Sequence, residues 1–304
     1  MKAAMQQPAK FDILCIGSVL WDVIGRCSQD MRQGSDMPGR ITRLPGGVAM
    51  NIAMTLVRFG LTPSVLTAIG RDPEGDELIT ACQRLGVTTD MAYRSDDLPT
   101  DRYMAVEGAN GLIAAIADAH SLEAAGDKIL RPLTDGTLGS ARAPFAGPIA
   151  LDGNLTLTLL DDIARHPAFA RADLRVAPAS PGKAERLRPF LSASHGTLYV
   201  NLEEAGYLCQ STFTSSQAAA IAMIDRGAAR VLVTDGGASA TEARTGTDPI
   251  TLIPPRVQVA RVTGAGDTFM AAHIAADLGG ASRHDALKAA LHAAATYVSG
   301  EPPL

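Results

Sequence analysis

The chain has 304 residues, 46% of them apolar and only 4% aromatic, and carries a formal net charge of −5. That length exceeds one average domain but suits a single large α/β domain with an appendage spanning 1–304. Scarce aromatics and an acidic balance argue against nucleic acid as a partner, since such partners are held by stacking surfaces and basic faces. A small anionic ligand held by backbone amides stays compatible with that charge. Cys15, Cys27, Cys82 and Cys209 make no CxxC pair and have no His at metal spacing, so a reducing, cytoplasmic setting is expected. The segment Met1–Lys10 is polar. The apolar stretch from Phe11 carries Asp12 and Asp22, which fits neither a leader peptide nor a membrane span.

Asp12–Ser18 is a short apolar run ending in Gly17 and reads as a buried parallel strand. Trp21–Ile24 leads into a polar, Gly-containing segment, and Ile41–Leu44 is a second short strand ending at Pro45-Gly46-Gly47. Val48, Ile52, Leu56 and Phe59 recur at helical spacing, with Gly60 as the stop. Pro63–Ile69 reads as a strand and Asp76–Leu85 as a helix closed by Gly86. Arg102–Val106 and Leu112–Ala117 flank a Gly-rich turn and predict a β-hairpin, which inside such alternation leaves the main sheet as a small lid. Alternation resumes with a strand at Pro148–Leu151, a helix at Leu155–Arg165 and a strand at Arg175–Pro178. A helix at Ala184–Leu191 and a strand at Thr197–Val200 follow. The remainder reads as a helix over Ser215–Arg226, a strand over Arg230–Thr234, an extended pair over 250–259 around Pro254-Pro255, and a closing helix over Arg283–Ser299. The pattern predicts a doubly wound, mostly parallel sheet flanked by helices.

Sheets of this kind carry their ligands in the crevice beyond the carboxyl ends of the strands. Polar residues recur at those ends: Asp22 after the first strand, Asp152-Gly153-Asn154, Asn201, and Thr234-Asp235-Gly236-Gly237. Each alone is an ordinary turn or cap signal. Gly46-Gly47 opens a helix with bare backbone, and Asn51 one turn later offers both a donor and an acceptor to sugar hydroxyls. Asn201 and Glu204 have the spacing of a helix cap with its capping-box acid, which is the plainer reading; outer-sphere support of Mg²⁺ is the alternative. Thr234 with Gly236 and Gly237 is either a plain turn or a phosphate-contacting loop.

Residues 262–269, Val-Thr-Gly-Ala-Gly-Asp-Thr-Phe, carry the most chemistry. Gly264, Ala265 and Gly266 are small enough for their N–H groups to close on an anion, and the Ala-rich segment Thr268–Leu278 places them at a helix N-terminus. Asp267 stands at the same spot. A carboxylate beside an anion hole is awkward unless it takes a proton, so the economical reading is a catalytic base facing a phosphoryl group. A dinucleotide turn fits less well, because the motif lacks a third glycine and lies near the C-terminus.

Taken together these residues resemble the ribokinase-like, or PfkB, carbohydrate kinase family over about Asp12–Ser299. The resemblance rests on LPGGVAMNIAMTLVRFG (44–60) and VTGAGDTFMAA (262–272). It implies sugar binding by Asp22, Gly46, Gly47 and Asn51, support of Mg²⁺ and phosphate by Asn201 and Glu204, and nucleotide contacts from Thr234 and Gly236. It also implies an anion hole at Gly264, Ala265 and Gly266 with Asp267 as catalytic base, ATP as donor, and a β-lid from segments near 19–45 and 100–118. Lid strands in this family often meet across a two-fold axis, which implies a possible homodimer. Within the family the chain is most similar to pseudouridine kinases, through PGGVAMNIA, through Asp152-Gly153-Asn154, and through AAATYVSGEPP at 293–303. Ribokinase, adenosine or inosine kinase, 2-keto-3-deoxygluconate kinase and a non-catalytic sugar- or nucleoside-binding homologue are the alternatives. One departure concerns the position six residues before the base, where many relatives carry an Asp that helps bind a monovalent cation. Here it is Arg261, and a guanidinium has no lone pair to ligate K⁺.

Overall fold

The computed structural model describes residues 11–193 and 195–300. The polar N-terminal segment 1–10 and the final 301–304, including the prolines of the 293–303 stretch, lie outside the described residues. The first third contains β1 (Ile13–Ile16), β2 (Leu20–Arg26), β3 (Arg40–Gly46), α1 (Val48–Arg58), β4 (Pro63–Leu66), β5 (Ala68–Gly70), α2 (Pro73–Arg84) and β6 (Tyr93–Ser95). Then come β7 (Arg102–Gly108), β8 (Gly111–Asp118), α3 (His120–Ala125), α4 (Arg131–Thr134), β9 (Pro148–Asp152), α5 (Leu157–Arg165), β10 (Asp173–Ala177), α6 (Arg188–Ser192) and β11 (Thr197–Asn201). The chain closes with α7 (Leu202–Cys209), α8 (Ser216–Asp225), β12 (Arg230–Asp235), β13 (Ser239–Arg244), β14 (Thr247–Leu252), α9 (Ala265–Leu278) and α10 (Arg283–Val298).

The main sheet has the order β14-β13-β12-β11-β10-β9-β1-β4. From β12 to β4 every pairing is parallel, while β13 and β14 add an antiparallel edge. Side chains along β1 alternate between two cores. Leu14 and Ile16 join Leu151, Leu160 and Val176 on one face; Ile13 and Cys15 join Ile52, Leu56, Met270 and Leu287 on the other. Strands buried on both faces need no polar face, which explains the uninterrupted apolar run at 13–16. Each fully buried Ile or Leu contributes roughly 1.5–3 kcal/mol by removal from water. A second, smaller sheet has the order β3-β2-β7-β8 and gathers the segments expected to leave the main sheet. No helix among the described residues is long and apolar enough to cross a membrane.

Trp21–Ile24 lies inside β2, a strand of the small sheet. Three local readings need correction. The strand read at Pro63–Ile69 breaks at Thr67, where β5 leaves the main sheet to pair with β6 through Ala68 and Tyr93. The helix at Ala184–Leu191 is a 3₁₀ turn over 181–187 followed by the short α6, because Pro189 supplies no N–H to extend a regular helix backwards. The extended pair at 250–259 is β14 alone, and its partner is β13, joined through Gly246 at φ 76°. Pro254 and Pro255 end pairing after Leu252, since proline cannot donate to a ladder.

A buried charge network anchors the second core. Glu242, fully buried, takes Arg230 at 2.7 Å and Arg283 at 3.2 Å. Asp277 takes Arg175 at 2.7 Å and Arg230 at 2.9 Å. His273 lies between the Tyr199 hydroxyl (2.8 Å) and Arg230 (3.3 Å), and its pKa is depressed to about 3 by burial and by the adjacent Arg230 charge. The C-terminal half of α9 is thereby pinned to β10, β11 and β12. This fixes the axial position of its first turn.

Candidate active site

The carboxyl ends of β1, β9, β10, β11 and β12 converge on one side of the main sheet, and most of the residues singled out in the sequence lie there. Asn201 ends β11 opposite Thr234 of β12, so those two sit at the same level. Asn201 also caps α7: its Oδ1 accepts from the Glu204 N–H at 2.9 Å, and Glu204 Oε2 accepts from the Asn201 N–H at 2.8 Å. The plainer reading of that pair is therefore realised. It leaves Asn201 Nδ2 and Glu204 Oε1 without protein partners among the described residues. Glu204 is buried, and its pKa is pushed up to about 7 by burial, against the Asn201 hydrogen bond and helped by the charges of Glu203 and Asp267.

Asn51 and Asp267 meet although 216 positions separate them: Asn51 Nδ2 donates to Asp267 Oδ2 at 3.0 Å. The contact exists because α1 packs on α9 through Ile52, Leu56 and Met270 in one core. Asp267 opens partly to the crevice but is otherwise enclosed by protein. Burial raises its pKa to about 7, opposed by the Asn51 donor and reinforced by the Asp152 charge. Gly264 caps α9 in the left-handed region at φ 88°, and a Cβ there would meet the Tyr297 hydroxyl at 2.5 Å. That hydroxyl donates to Thr263 O at 2.8 Å, so the end of α10 supports the turn before α9. The expected cup of three amides is altered in one respect. Ala265 N–H is spent on Val262 O at 3.0 Å, whereas the N–H groups of Gly264, Gly266 and Asp267 have no protein acceptor among the described residues. A helix N-terminus with free donors favours an anion.

Asp22 lies on β2, half-buried, and accepts no hydrogen bond from the described residues; burial raises its pKa to about 6. Gly46, at the end of β3, is required by that carboxylate, because a Cβ at this position would overlap it. Gly47 has φ 95°, and a side chain there would run into the Ser18 carbonyl.

Asp152 differs from the expected picture of a group facing the crevice. It is fully buried, and its Oδ2 accepts from Ser18 N at 2.8 Å and Ser18 Oγ at 2.5 Å, while Oδ1 accepts from Asn154 N at 2.8 Å. Its hydrogen bonds brace the loop after β1. Ser18 Oγ in turn accepts from Val48 N at 2.9 Å and from Asn154 Nδ2 at 3.0 Å, which ties α1 to the ends of β1 and β9. Ser18 was not read from the sequence, though a Gly-Ser pair closing an apolar strand is a turn signal that could have marked it. Lys183, reaching Asn154 Oδ1 at 2.5 Å, gave no signal at all. Gly236 (φ 50°) and Gly237 form an open turn after β12, with no neighbour within 4 Å of an added Cβ. Arg261 lies over the Tyr297 ring at 3.9 Å and donates from Nε to Tyr297 O at 2.9 Å.

A carboxylate held by Asn51 at a helix N-terminus, beside free amides, is an arrangement able to take a proton from a hydroxyl next to an anionic group. The profile of the pfkB family carbohydrate kinases matches residues 10–301, and the chain belongs to that family. It is 27% identical over 263 residues to a pseudouridine kinase of Escherichia coli (strain K12), covering 85% of this chain and 81% of the relative. The fold superposes on a carbohydrate kinase from Agrobacterium tumefaciens with a TM-score of 0.78 at 25% identity, covering 93% of this chain and 89% of that one. It also superposes on Arabidopsis thaliana ribokinase complexed with ribose and ATP, with a TM-score of 0.73 at 21% identity, covering 95% and 92% of the two chains. The architecture is thus ribokinase-like.

Proposed function

We propose that the protein transfers the γ-phosphoryl group of ATP to the primary 5′-hydroxyl of a ribosyl substrate, with pseudouridine preferred. The observation that carries this reading is the Asn51–Asp267 contact at the amide-rich start of α9. Asp267 accepts the proton of the attacking hydroxyl, and Asn51 holds the carboxylate in place. The free amides of Gly264, Gly266 and Asp267 offset charge that develops on the phosphoryl oxygens. Asp22, lacking any protein donor, accepts from sugar hydroxyls; a buried carboxylate without partners is costly, and ligand hydroxyls relieve that cost. Thr234, Gly236 and Gly237 border the nucleotide. The preference for pseudouridine rests on the relative at 27% identity and on the Asp152-Gly153-Asn154 turn.

Mg²⁺ fits the donors present in an indirect way. No group of three or more His, Cys, Asp or Glu side chains among the described residues is placed to hold a metal by itself. Glu204 Oε1, a hard oxygen without a protein donor and close enough to Asp267 for their charges to interact, suits a water-mediated contact. When bound, Mg²⁺ supplies positive charge to the phosphates. Glu204 and Asn201 would hold it through intervening water.

The small sheet, built from segments within 19–46 and 102–118, acts in this proposal as a lid on one continuous domain. Ile41, Leu44, Met104, Leu112 and Ile116 are exposed on it, which supports pairing of two lids in a homodimer. A monomeric mass in light scattering would remove that assembly. The four cysteines are all buried and unpaired, which suits the cytoplasm.

The test is ADP formation across pseudouridine, uridine, adenosine, ribose and 2-keto-3-deoxygluconate. Pseudouridine is expected to give the highest kcat/KM. A higher value for another acceptor replaces the substrate; binding without ADP from any acceptor makes the protein a sensor rather than a kinase. Arg261 yields a separate expectation. Its guanidinium, fixed on Tyr297, leaves a permanent positive charge beside the turn before α9, so exchanging K⁺ for Na⁺ should change kcat less than about twofold. A rate that requires K⁺ would show that the turn ligates a cation despite Arg261.

A further inference from the structure

Lys183 stands in the 3₁₀ turn after β10, at the same end of the sheet as Ser18, Asn154 and the start of α1. Its ammonium donates to Asn154 Oδ1 at 2.5 Å, and Asn154 Nδ2 reaches Ser18 Oγ at 3.0 Å, which also receives Val48 N. A chain of hydrogen bonds thus links the ammonium to the peptide that follows Gly47. Among the described residues no carboxylate lies within ion-pair distance of Lys183, and its nitrogen makes no second hydrogen bond. Arg186, three residues on in the same turn, is paired through Nη1 with Glu123 and with the Asn154 and Leu155 carbonyls. One cation of this turn is paired within the protein, and the other keeps two of its three protons undirected in a half-buried position. Holding a lysine side chain in a single geometry costs rotamer entropy. A single neutral acceptor offsets little of that, whereas an electron-rich oxygen on a ligand completes the set.

We infer that Lys183 is a specificity-determining residue that donates to a carbonyl or carboxylate oxygen on the part of the substrate remote from the reacting hydroxyl. This rests on the kinase reading above, in which Asp267 and Asp22 engage the hydroxyls of the sugar. Hydroxyl recognition by carboxylates and carbonyl recognition by an ammonium divide the substrate into two ends. A ring dione such as uracil presents such an oxygen, as does a sugar acid; free ribose and adenosine present none.

Lys183→Met keeps the unbranched side chain to within one atom of its length and removes its charge, and Lys183→Arg restores the charge with a different fork. For the full-length protein, Lys183→Met should raise KM for pseudouridine at least about tenfold, the scale of one charge-assisted hydrogen bond, with kcat changed less than about threefold. Ribose, as a substrate or as a competitive inhibitor, should be unaffected, and Lys183→Arg should recover part of the loss. A loss confined to 2-keto-3-deoxygluconate would support the same role with a carboxylate as the ligand. Equal losses for ribose and pseudouridine would overturn the inference and make Lys183 a brace for Asn154. Unchanged kinetics for every acceptor would overturn it as well. A wild-type preference for ribose or adenosine over all carbonyl-bearing acceptors would sink the inference while leaving the kinase reading standing; absence of ADP with every acceptor would instead remove the kinase reading itself.

Discussion

An Asp267→Asn protein is expected to bind both ligands and to turn over at least roughly a hundredfold more slowly, the scale on which a general base contributes. Asparagine preserves the shape and still accepts the Asn51 Nδ2 donor, so the packing of α1 on α9 survives. The pH dependence follows from the same group. Its pKa in the folded protein is raised to about 7, first by burial. The wild-type rate should therefore climb about tenfold per pH unit below that value and level off above it. Glu204, raised to about 7, and Asp22, raised to about 6, titrate in the same window, so the observed values belong to the cluster. The stability effect has the opposite sense. A carboxyl whose folded pKa exceeds its unfolded value stabilises the fold fully below about pH 4, and that contribution is lost as pH rises through about 7. At pH 8 the asparagine variant should therefore be more stable than wild type, by something of the order of 2 kcal/mol once the carboxylate's opening to the crevice is allowed for. Urea unfolding at pH 5 and pH 8 checks this. Near-normal turnover of the variant would reject the catalytic role whatever the stability result.

Gly46→Ala should rank with it in size, through binding of the acceptor. The new methyl group would occupy the space of the Asp22 carboxylate, and neither β2 nor β3 is free to yield, because their ladder pairs Leu20 with Gly46 and Asp22 with Leu44. On the proposed role of Asp22, displacing it removes a charge-assisted contact to sugar hydroxyls, so KM for the acceptor should rise by roughly tenfold to a hundredfold while KM for ATP stays within about twofold. A double-mutant cycle sharpens the argument. If Gly46 acts through Asp22, the pair Gly46→Ala and Asp22→Ala should be no worse than Asp22→Ala alone. Additive losses would mean that Gly46 touches the substrate through its own backbone.

Much of this site was legible because its parts are local. Gly264 to Asp267 advertise a helix start by composition, and the structure adds only that Ala265 N–H is already spent on Val262 O. The Gly46-Gly47 helix entry was readable for the same reason. What could not be read was the meeting of distant segments. Asp152 looked like a ligand because it ends a strand, yet the Ser18 backbone and hydroxyl claim it from 134 positions away. The main-sheet strands were legible because burial on both faces writes a continuous apolar run. β13, with sequence Ser-Ala-Thr-Glu-Ala-Arg, hid because its Glu242 is buried only by virtue of two arginines supplied from β12 and α10. Polar residues read as exposed until their partners are known.

The 216 positions between Asn51 and Asp267 bear on how this protein comes into being. During synthesis, at about 5–20 residues per second, α1 leaves the ribosome tens of seconds before α9, and the first half of the site then has no counterpart. Any product that stops short of residue 265 presents an Asn51 amide with nothing to steady, whatever its β-sheet achieves. Translation must pass residue 267 before the two halves can meet.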